Sequence, residues 1–187
     1  VKYAVQAIEN GKHVAMITKD CDAAVGPILK KMADNRGVVY TPVDGDQHGL
    51  LIQMVEWARA IGLTILCAGK ATDGEFVYNS EKREVAIHTD KKIVEPDRAS
   101  VTVAPEDQKY LEMIPKGKVQ EYISKRREIL RYLPRPGSYD LCEMAIAANY
   151  TGMHPQEEEL LHLPLRITEL PIAYCLEKDG GMIRSED

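Results

Sequence analysis

His13-Val-Ala-Met-Ile-Thr18, Gly37-Val-Val-Tyr-Thr-Pro42 and Leu63-Thr-Ile-Leu-Cys-Ala68 are three short apolar runs, and what they form decides the fold. None shows the strict apolar–polar alternation of a strand with one wet face, so each is expected to be covered on both faces. The stretches around them carry helical spacing. The expected series is helix 2–10, strand 13–18, helix 20–35, strand 37–42, helix 46–61 and strand 63–68. Strands joined by helices of several turns need crossover connections, so the natural product is a parallel sheet.

The helix ends are chemically marked. Asp20 can cap the helix after the first run, and Asp44 or Asp46 the helix after the second, because a short acidic side chain accepts a hydrogen bond from an unpaired first-turn amide. Gly11, Gly37 and Gly62 stand where helices should stop. Pro27, next to Gly26, predicts a kink or restart inside the 20–35 helix, since proline removes one backbone donor and crowds the preceding turn.

Beyond residue 70 the pattern loosens. A polar loop runs from Ala71 to Asn79, and the charged stretch Ser80 to Lys92 holds one apolar run, Val85 to Ile87, which predicts an excursion or β-ribbon. Helices are expected from Pro105 to Ile114, from Val119 to Leu133, and from Ser138 to Asn149 with a stop at Gly152. The tail, broken by Pro155, Pro164 and Pro171, reads as extended chain lying across the core.

Composition narrows the function classes. A net charge of −5 in 187 residues argues against a general nucleic-acid binder, which needs a basic surface to displace counterions. No stretch approaches the roughly 20 apolar residues that cross a bilayer, and the start lacks the apolar core of a signal peptide. Cys21, Cys67, Cys142 and Cys175 are far apart and in apolar settings, which predicts buried free thiols in a reducing, cytoplasmic compartment. The chain opens without methionine and within a helical pattern, so it is expected to begin inside a domain.

Three strand ends deliver polar groups into loops: Thr18-Lys19-Asp20, Val43-Asp-Gly-Asp-Gln-His48 and Ala68-Gly-Lys70. In open α/β sheets the carboxyl ends of the strands form the ligand crevice, so these clusters are expected to converge. Lys19 and Lys70 could hold an anion or stabilise the oxyanion of a carbonyl under reduction. Asp44, Asp46 and Gln47 exceed what turn capping alone needs.

His48, at a helix start, reads as a hydrogen-bonding partner rather than a catalyst. Glu143 and Asn149 lie on different faces of one helix, so one of them is expected to face the crevice. His154 and His162, with Glu157, Glu158 and Glu159 between them, do not have metal-ligand spacing and read as a solvated acidic stretch; no metal site is expected. Met16, Met54 and Trp57 are expected in the core. No Gly-x-Gly-x-x-Gly turn, which lets backbone approach a pyrophosphate, occurs in the chain.

Ala7-Ile-Glu-Asn-Gly-Lys-His-Val-Ala-Met-Ile-Thr-Lys-Asp20, Val38-Val-Tyr-Thr-Pro-Val-Asp-Gly-Asp-Gln47, Cys67-Ala-Gly-Lys70, Cys142-Glu-Met-Ala-Ile-Ala-Ala-Asn-Tyr-Thr-Gly152 and the tail from His162 to Gly181 together resemble the homoserine-dehydrogenase-like oxidoreductases, in the branch of deoxyxylulose phosphate reductoisomerase-like proteins. The resemblance covers most of the chain and implies the middle of a protein with an N-terminal Rossmann domain, a catalytic and dimerising region and often a C-terminal SAF domain.

Under that resemblance the fold class is α/β. Residues 1–70 would be the later part of a Rossmann-like parallel sheet, and residues 71–187 an α+β catalytic and dimerisation region. Lys19 matches the lysine of a strand-end motif near the nicotinamide, while Lys70 and the turn from Asp44 to Gln47 would line the substrate crevice. Some relatives place a lysine ahead of the Glu-Met helix, where this chain has Gly137-Ser138-Tyr139.

The expected function is hydride transfer between NAD or NADP and a small carbonyl or hydroxy compound. Lys19, Lys70 and Asp46 would be catalytic, Thr18 and Lys19 would meet the cofactor, and Asp44, Gln47 and Glu143 the substrate. The protein is expected to be a homodimer, with neither nucleic acid nor membrane as partner, and this piece by itself to be inactive. The competing expectation is a non-catalytic metabolite-binding or assembly domain built on the same sheet, with Tyr139 in place of lysine as its support.

Overall fold

The computed structural model describes residues 1–72, 74–89, 100–134, 141–158 and 160–184, which form two compact units. The first comprises Val1–Lys70 and the described part of Tyr139–Pro155; the second comprises the described parts of Ala71–Ser138 and Gln156–Glu186.

In the first unit the order is α1 (Lys2–Glu9), β1 (Val14–Met16), α2 (Lys19–Asn35), β2 (Tyr40–Pro42) and α3 (Gln47–Ala60). β1 and β2 pair in parallel, with Val14 opposite Tyr40 and Met16 opposite Pro42. Pro42 carries no N–H for the ladder, and β2 ends there. The core gathers Ala4 and Ile8 of α1, Leu29 and Ala33 of α2, and Tyr40 of β2, with Val14, Met16 and Met32 packed against them. Gly11, Gly37 and Gly62 each adopt the left-handed conformation just past a helix end, the backbone state glycine reaches without penalty.

The second unit holds β3 (Gly74–Asn79), β4 (Glu84–Thr89) and β5 (Ser100–Thr102), an antiparallel sheet in that order. The apolar run at Val85 to Ile87 is the middle of β4, where Val85 and Ile87 are buried and pack with Val103, Leu130 and Leu133. A 3-10 helix (Pro105–Leu111) leads to α4 (Val119–Leu130). A second cluster joins Ile114, Val119, Ile123, Leu163 and Ala173. At its edge Arg126 and Glu169, both buried, meet through two hydrogen bonds of 2.6 and 2.9 Å. Arg126 also donates to the carbonyls of Tyr110, Glu112 and Pro164, and Glu169 accepts from the amides of Ile114 and Arg166, so the charges are fully engaged.

Several expectations are corrected. Leu63 to Ala68 forms no strand; an apolar run becomes a strand only where a neighbour takes its hydrogen bonds, and none pairs with it among the described residues. α2 runs as one helix past Pro27. The Ala23 carbonyl, four residues before the proline and so without its usual helical donor, accepts from Asn149 Nδ2 at 3.4 Å. Thr18, not Asp20, is the N-cap residue of α2. Met16 packs against the core, but Met54 and Trp57 are 66% and 64% exposed, because α3 turns His48, Gly49 and Val55 inward instead.

The cysteines are not buried as expected: Cys67 is exposed and the other three are half-buried. In place of a purely extended tail the chain forms a 3-10 turn (Ile167–Glu169), the one-turn α6 (Leu170–Ala173) and another 3-10 turn (Glu177–Asp179). The helix expected from residue 138 is α5 (Leu141–Thr151), which packs on α2 and α3 within the first unit. Gly137, Ser138 and Tyr139 lie outside the described residues. No described helix is long and apolar enough to cross a membrane.

The Arg126–Glu169 pair gives a stability test. Glu169→Gln leaves a guanidinium buried without its counter-charge and should cost about 3–5 kcal/mol. The joint change Arg126→Met with Glu169→Leu should cost clearly less. Urea unfolding followed by circular dichroism measures both.

Candidate functional site

The first unit brings the N-terminal ends of α2, α3 and α5 together, and the sequence places an ionisable side chain at each. Lys19 opens α2, Asp46 caps α3, and Glu143 lies in the first turn of α5. The Asp46 carboxylate accepts from the Gln47 amide through Oδ1 at 2.7 Å, the bond that starts α3 and fixes the side chain. Its other oxygen, Oδ2, lies 3.3 Å from Lys19 Nζ. Lys19 Nζ donates to Glu143 Oε1 at 2.8 Å. One ammonium thus bridges two carboxylates from separate helices.

Lys70 Nζ donates to Gln47 Oε1 beside this bridge, and its charge reaches Glu143. Asp44 Oδ1 accepts from Gln53 Nε2 and so faces α3 rather than the lysines. Thr18 is exposed at the entry to α2, whose first turn receives no side-chain cap. The expected residues Lys19, Asp46 and Glu143 therefore meet directly, Gln47 and Lys70 adjoin them, and Asp44 serves the turn.

The protonation states follow from these contacts. The Glu143 hydrogen bond, and with it Asp46, raises Lys19 above the ordinary lysine value, against a smaller opposing effect of burial, so the ammonium is held charged. Asp46 is held below the ordinary carboxylate range by the Gln47 amide and by Lys19. Burial pushes Glu143 up, but Lys19 and its own backbone amide outweigh this and hold it low.

Beneath this layer lies a second, buried one that the sequence did not reveal. Asp22 of α2 and His48 of α3 are each only 2% exposed. Asp22 Oδ1 accepts from the Tyr40 hydroxyl at 2.8 Å, and Tyr150 of α5 lies close enough to feel its charge. Two glycines make the room. A Cβ at Gly26 would overlap the Asp22 carboxylate, and a Cβ at Gly49 would stand 2.9 Å from the Val43 carbonyl oxygen, pushing the first turn of α3 away.

Four buried atoms here, Asp22 Oδ2, His48 Nδ1, Glu143 Oε2 and Tyr150 Oη, have no hydrogen-bond partner among the described residues. Burial raises Asp22 above its ordinary 3.8, with the Tyr40 hydrogen bond opposing, and burial also pushes the Tyr40 and Tyr150 hydroxyls well above their usual range. Among the described residues no group of three or more His, Cys, Asp or Glu could hold a metal ion.

With this geometry in view, the comparisons are specific. Residues 45–113 match the family model described as "Oxidoreductase DRL, catalytic domain", which supports a general oxidoreductase role. The matched stretch takes in Asp46, Gln47, His48 and Lys70, and lies apart from Lys19 and Glu143. No curated protein matches the chain.

The two layers should titrate with opposite signs. A raised carboxyl binds its proton more readily folded than unfolded, so the folded state loses stability as pH rises through that range. Asp22→Asn should therefore raise the melting temperature at neutral pH, with the gain fading as pH falls towards 3.8 and absent below it. A lowered carboxyl stabilises above its unfolded value, so Glu143→Gln should lower the melting temperature at neutral pH, with the loss fading in acid. Thermal melts across pH 3 to 8 read both trends.

Proposed function

We propose that this chain carries the substrate side of a nicotinamide-dependent oxidoreductase acting on a small carbonyl or hydroxy compound. The observation that carries the proposal is the Lys19 ammonium, held charged by Asp46 and Glu143 at the carboxyl end of β1 with Lys70 beside it. A fixed cation at that place is what a carbonyl oxygen needs as negative charge develops on it. The oxidoreductase match over residues 45–113 and the resemblance to the homoserine-dehydrogenase-like and reductoisomerase-like proteins support the same class.

Charge balance favours an uncharged reacting group. Lys19 and Lys70 stand against Asp46 and Glu143, and Asp20 and Asp22 lie in the first turn of α2. Little positive charge remains for a phosphate, whereas a carbonyl asks only for a directed donor. The same carboxylates bear on the cofactor. They would repel a pyrophosphate, so Thr18 and Lys19 fit the carboxamide end of a nicotinamide, next to the uncapped first turn of α2. NAD or NADP, when bound, supplies or accepts the hydride.

Lys19 directs its N–H at the substrate oxygen and passes a proton to it as the alcohol forms; in the reverse direction the neutral Lys19 amine takes that proton from the hydroxyl as the carbonyl appears. Glu143 and Asp46 hold the ammonium in place. Gln47 and Lys70 bind a neighbouring hydroxyl or carbonyl of the substrate. In this proposal the working protein is a cytoplasmic homodimer, as the resemblance implies.

The test uses the full-length protein with NADH or NADPH and a panel of small aldehydes and ketones. Lys19→Ala should lower kcat by about 10²–10³-fold. Lys70→Ala should also cut turnover heavily, with a larger share in KM. Near-normal turnover in both variants overturns the assignment.

A further inference from the structure

Asp46 has one free carboxylate oxygen and two claimants to it. Oδ1 is occupied by the Gln47 amide, so Oδ2 alone faces Lys19 Nζ at 3.3 Å and His48 Nδ1 at 3.8 Å. The longer contact is not a hydrogen bond, and among the described residues His48 Nδ1 has no hydrogen-bond partner. A histidine retained in a core for packing normally has its ring nitrogens satisfied. This one is sealed at 2% exposure near two carboxylates, Asp46 from the turn before α3 and Asp22 of α2, whose carboxyl feels the imidazole.

We propose that His48 is the positioning residue of this site, competing with Lys19 for Asp46 Oδ2 according to whether its imidazole carries a proton. The neutral ring leaves Oδ2 to Lys19, and the ammonium is then shared between two carboxylates. The imidazolium, as a cation with an N–H aimed at Oδ2, draws Asp46 toward itself and leaves Lys19 bonded to Glu143 alone. In that state the ammonium is a stronger acid and has a donor free for a substrate oxygen.

Other groups set how far the balance swings. Tyr40 of β2 donates to Asp22 Oδ1, and Tyr150 of α5 has its hydroxyl buried near both Asp22 and Tyr40. Glu143 of α5 holds the far side of Lys19, and Cys21 of α2 lies near Tyr40. Asp44 is engaged with Gln53. Tyr40 anchors Asp22 and Glu143 anchors Lys19, which leaves Asp46 as the member with two destinations.

The importance of this switch rests on Lys19 being the working cation of the proposed oxidoreductase, but its test needs no turnover. Nuclear magnetic resonance of the full chain, labelled at lysine side-chain carbon and histidine ring nitrogen, follows Lys19 Cε and the His48 ring over roughly pH 5 to 8, where imidazoles titrate. The expected result is one step common to both. His48→Gln should abolish the Lys19 step, and Asp46→Asn, which removes the shared carboxylate oxygen, should abolish it as well.

A Lys19 signal that does not move in the unaltered protein overturns the proposal, as does a Lys19 step that survives His48→Gln. Should His48→Gln fail to fold, Asp46→Asn decides, and a Lys19 step that survives it refutes the competition. Loss of the oxidoreductase reading would instead appear as normal turnover in Lys19→Ala with the shared titration intact, so the two failures are distinguishable.

Discussion

The bond from Lys19 to Glu143 is the constraint on which the first unit depends. Glu143 is 6% exposed, and a carboxylate so far from water is tolerated only with a partner close by, since the penalty for an unpaired buried charge is several kcal/mol. The partner comes from the start of α2, so α5 must dock with its first turn against the first turn of α2. Asp46 then brings in α3, and Lys70 follows through Gln47. One ammonium therefore fixes the meeting of three helix N-termini. Further links between those helices join Cys142 Sγ to Asp20 Oδ1 in the same first turns and, farther along, Asn149 to the Ala23 carbonyl and Arg59 to the Thr151 carbonyl.

The sequence showed the outline of this arrangement because its markers are local. Asp46 and the glycines after each helix act within a few residues of where they stand, and so the boundaries of α1, α2 and α3 were legible to within a residue or two. The strand ends were legible too, since Thr18-Lys19 follows β1 and Asp44 to Gln47 follows β2. What composition and spacing did not reveal is decided by packing. The run from Leu63 to Ala68 has strand composition without a strand's neighbours. On α3 the conspicuous apolar residues Met54 and Trp57 face outward, and the inward face is made by a histidine, a glycine and a valine.

His48 illustrates the limit best. At the start of a helix a histidine reads as a hydrogen-bonding partner, and nothing beside it in the chain shows that it is buried to 2% exposure. A faint trace of the buried layer does exist in the sequence. Gly26 stands one helical turn after Asp22, and Gly49 directly follows His48. Each glycine costs helix stability and so asks for a reason. The structure supplies it: one makes room for the Asp22 carboxylate, the other for the Val43 carbonyl. A glycine one turn from a charged residue, inside a helix that also tolerates Pro27, is the pattern from which the buried acid could have been suspected.

The two units use buried charge in opposite ways, and the difference separates structure from function. In the second unit every N–H direction of Arg126 is taken, and Glu169 accepts from two backbone amides besides the guanidinium, so nothing is left for a ligand or a proton to change. Such a pair holds segments together and has one state. In the first unit Asp22, His48, Glu143 and Tyr150 each keep a buried polar atom without a hydrogen-bond partner among the described residues. An unsatisfied buried group costs roughly 1–3 kcal/mol, and a fold that accepts several in one place retains alternatives there. Asp46 Oδ2 can belong to Lys19 or to His48, and Glu143 Oε2 is open to a donor. Incomplete satisfaction, more than the number of charges, is what marks this cluster as the part of the chain built to respond.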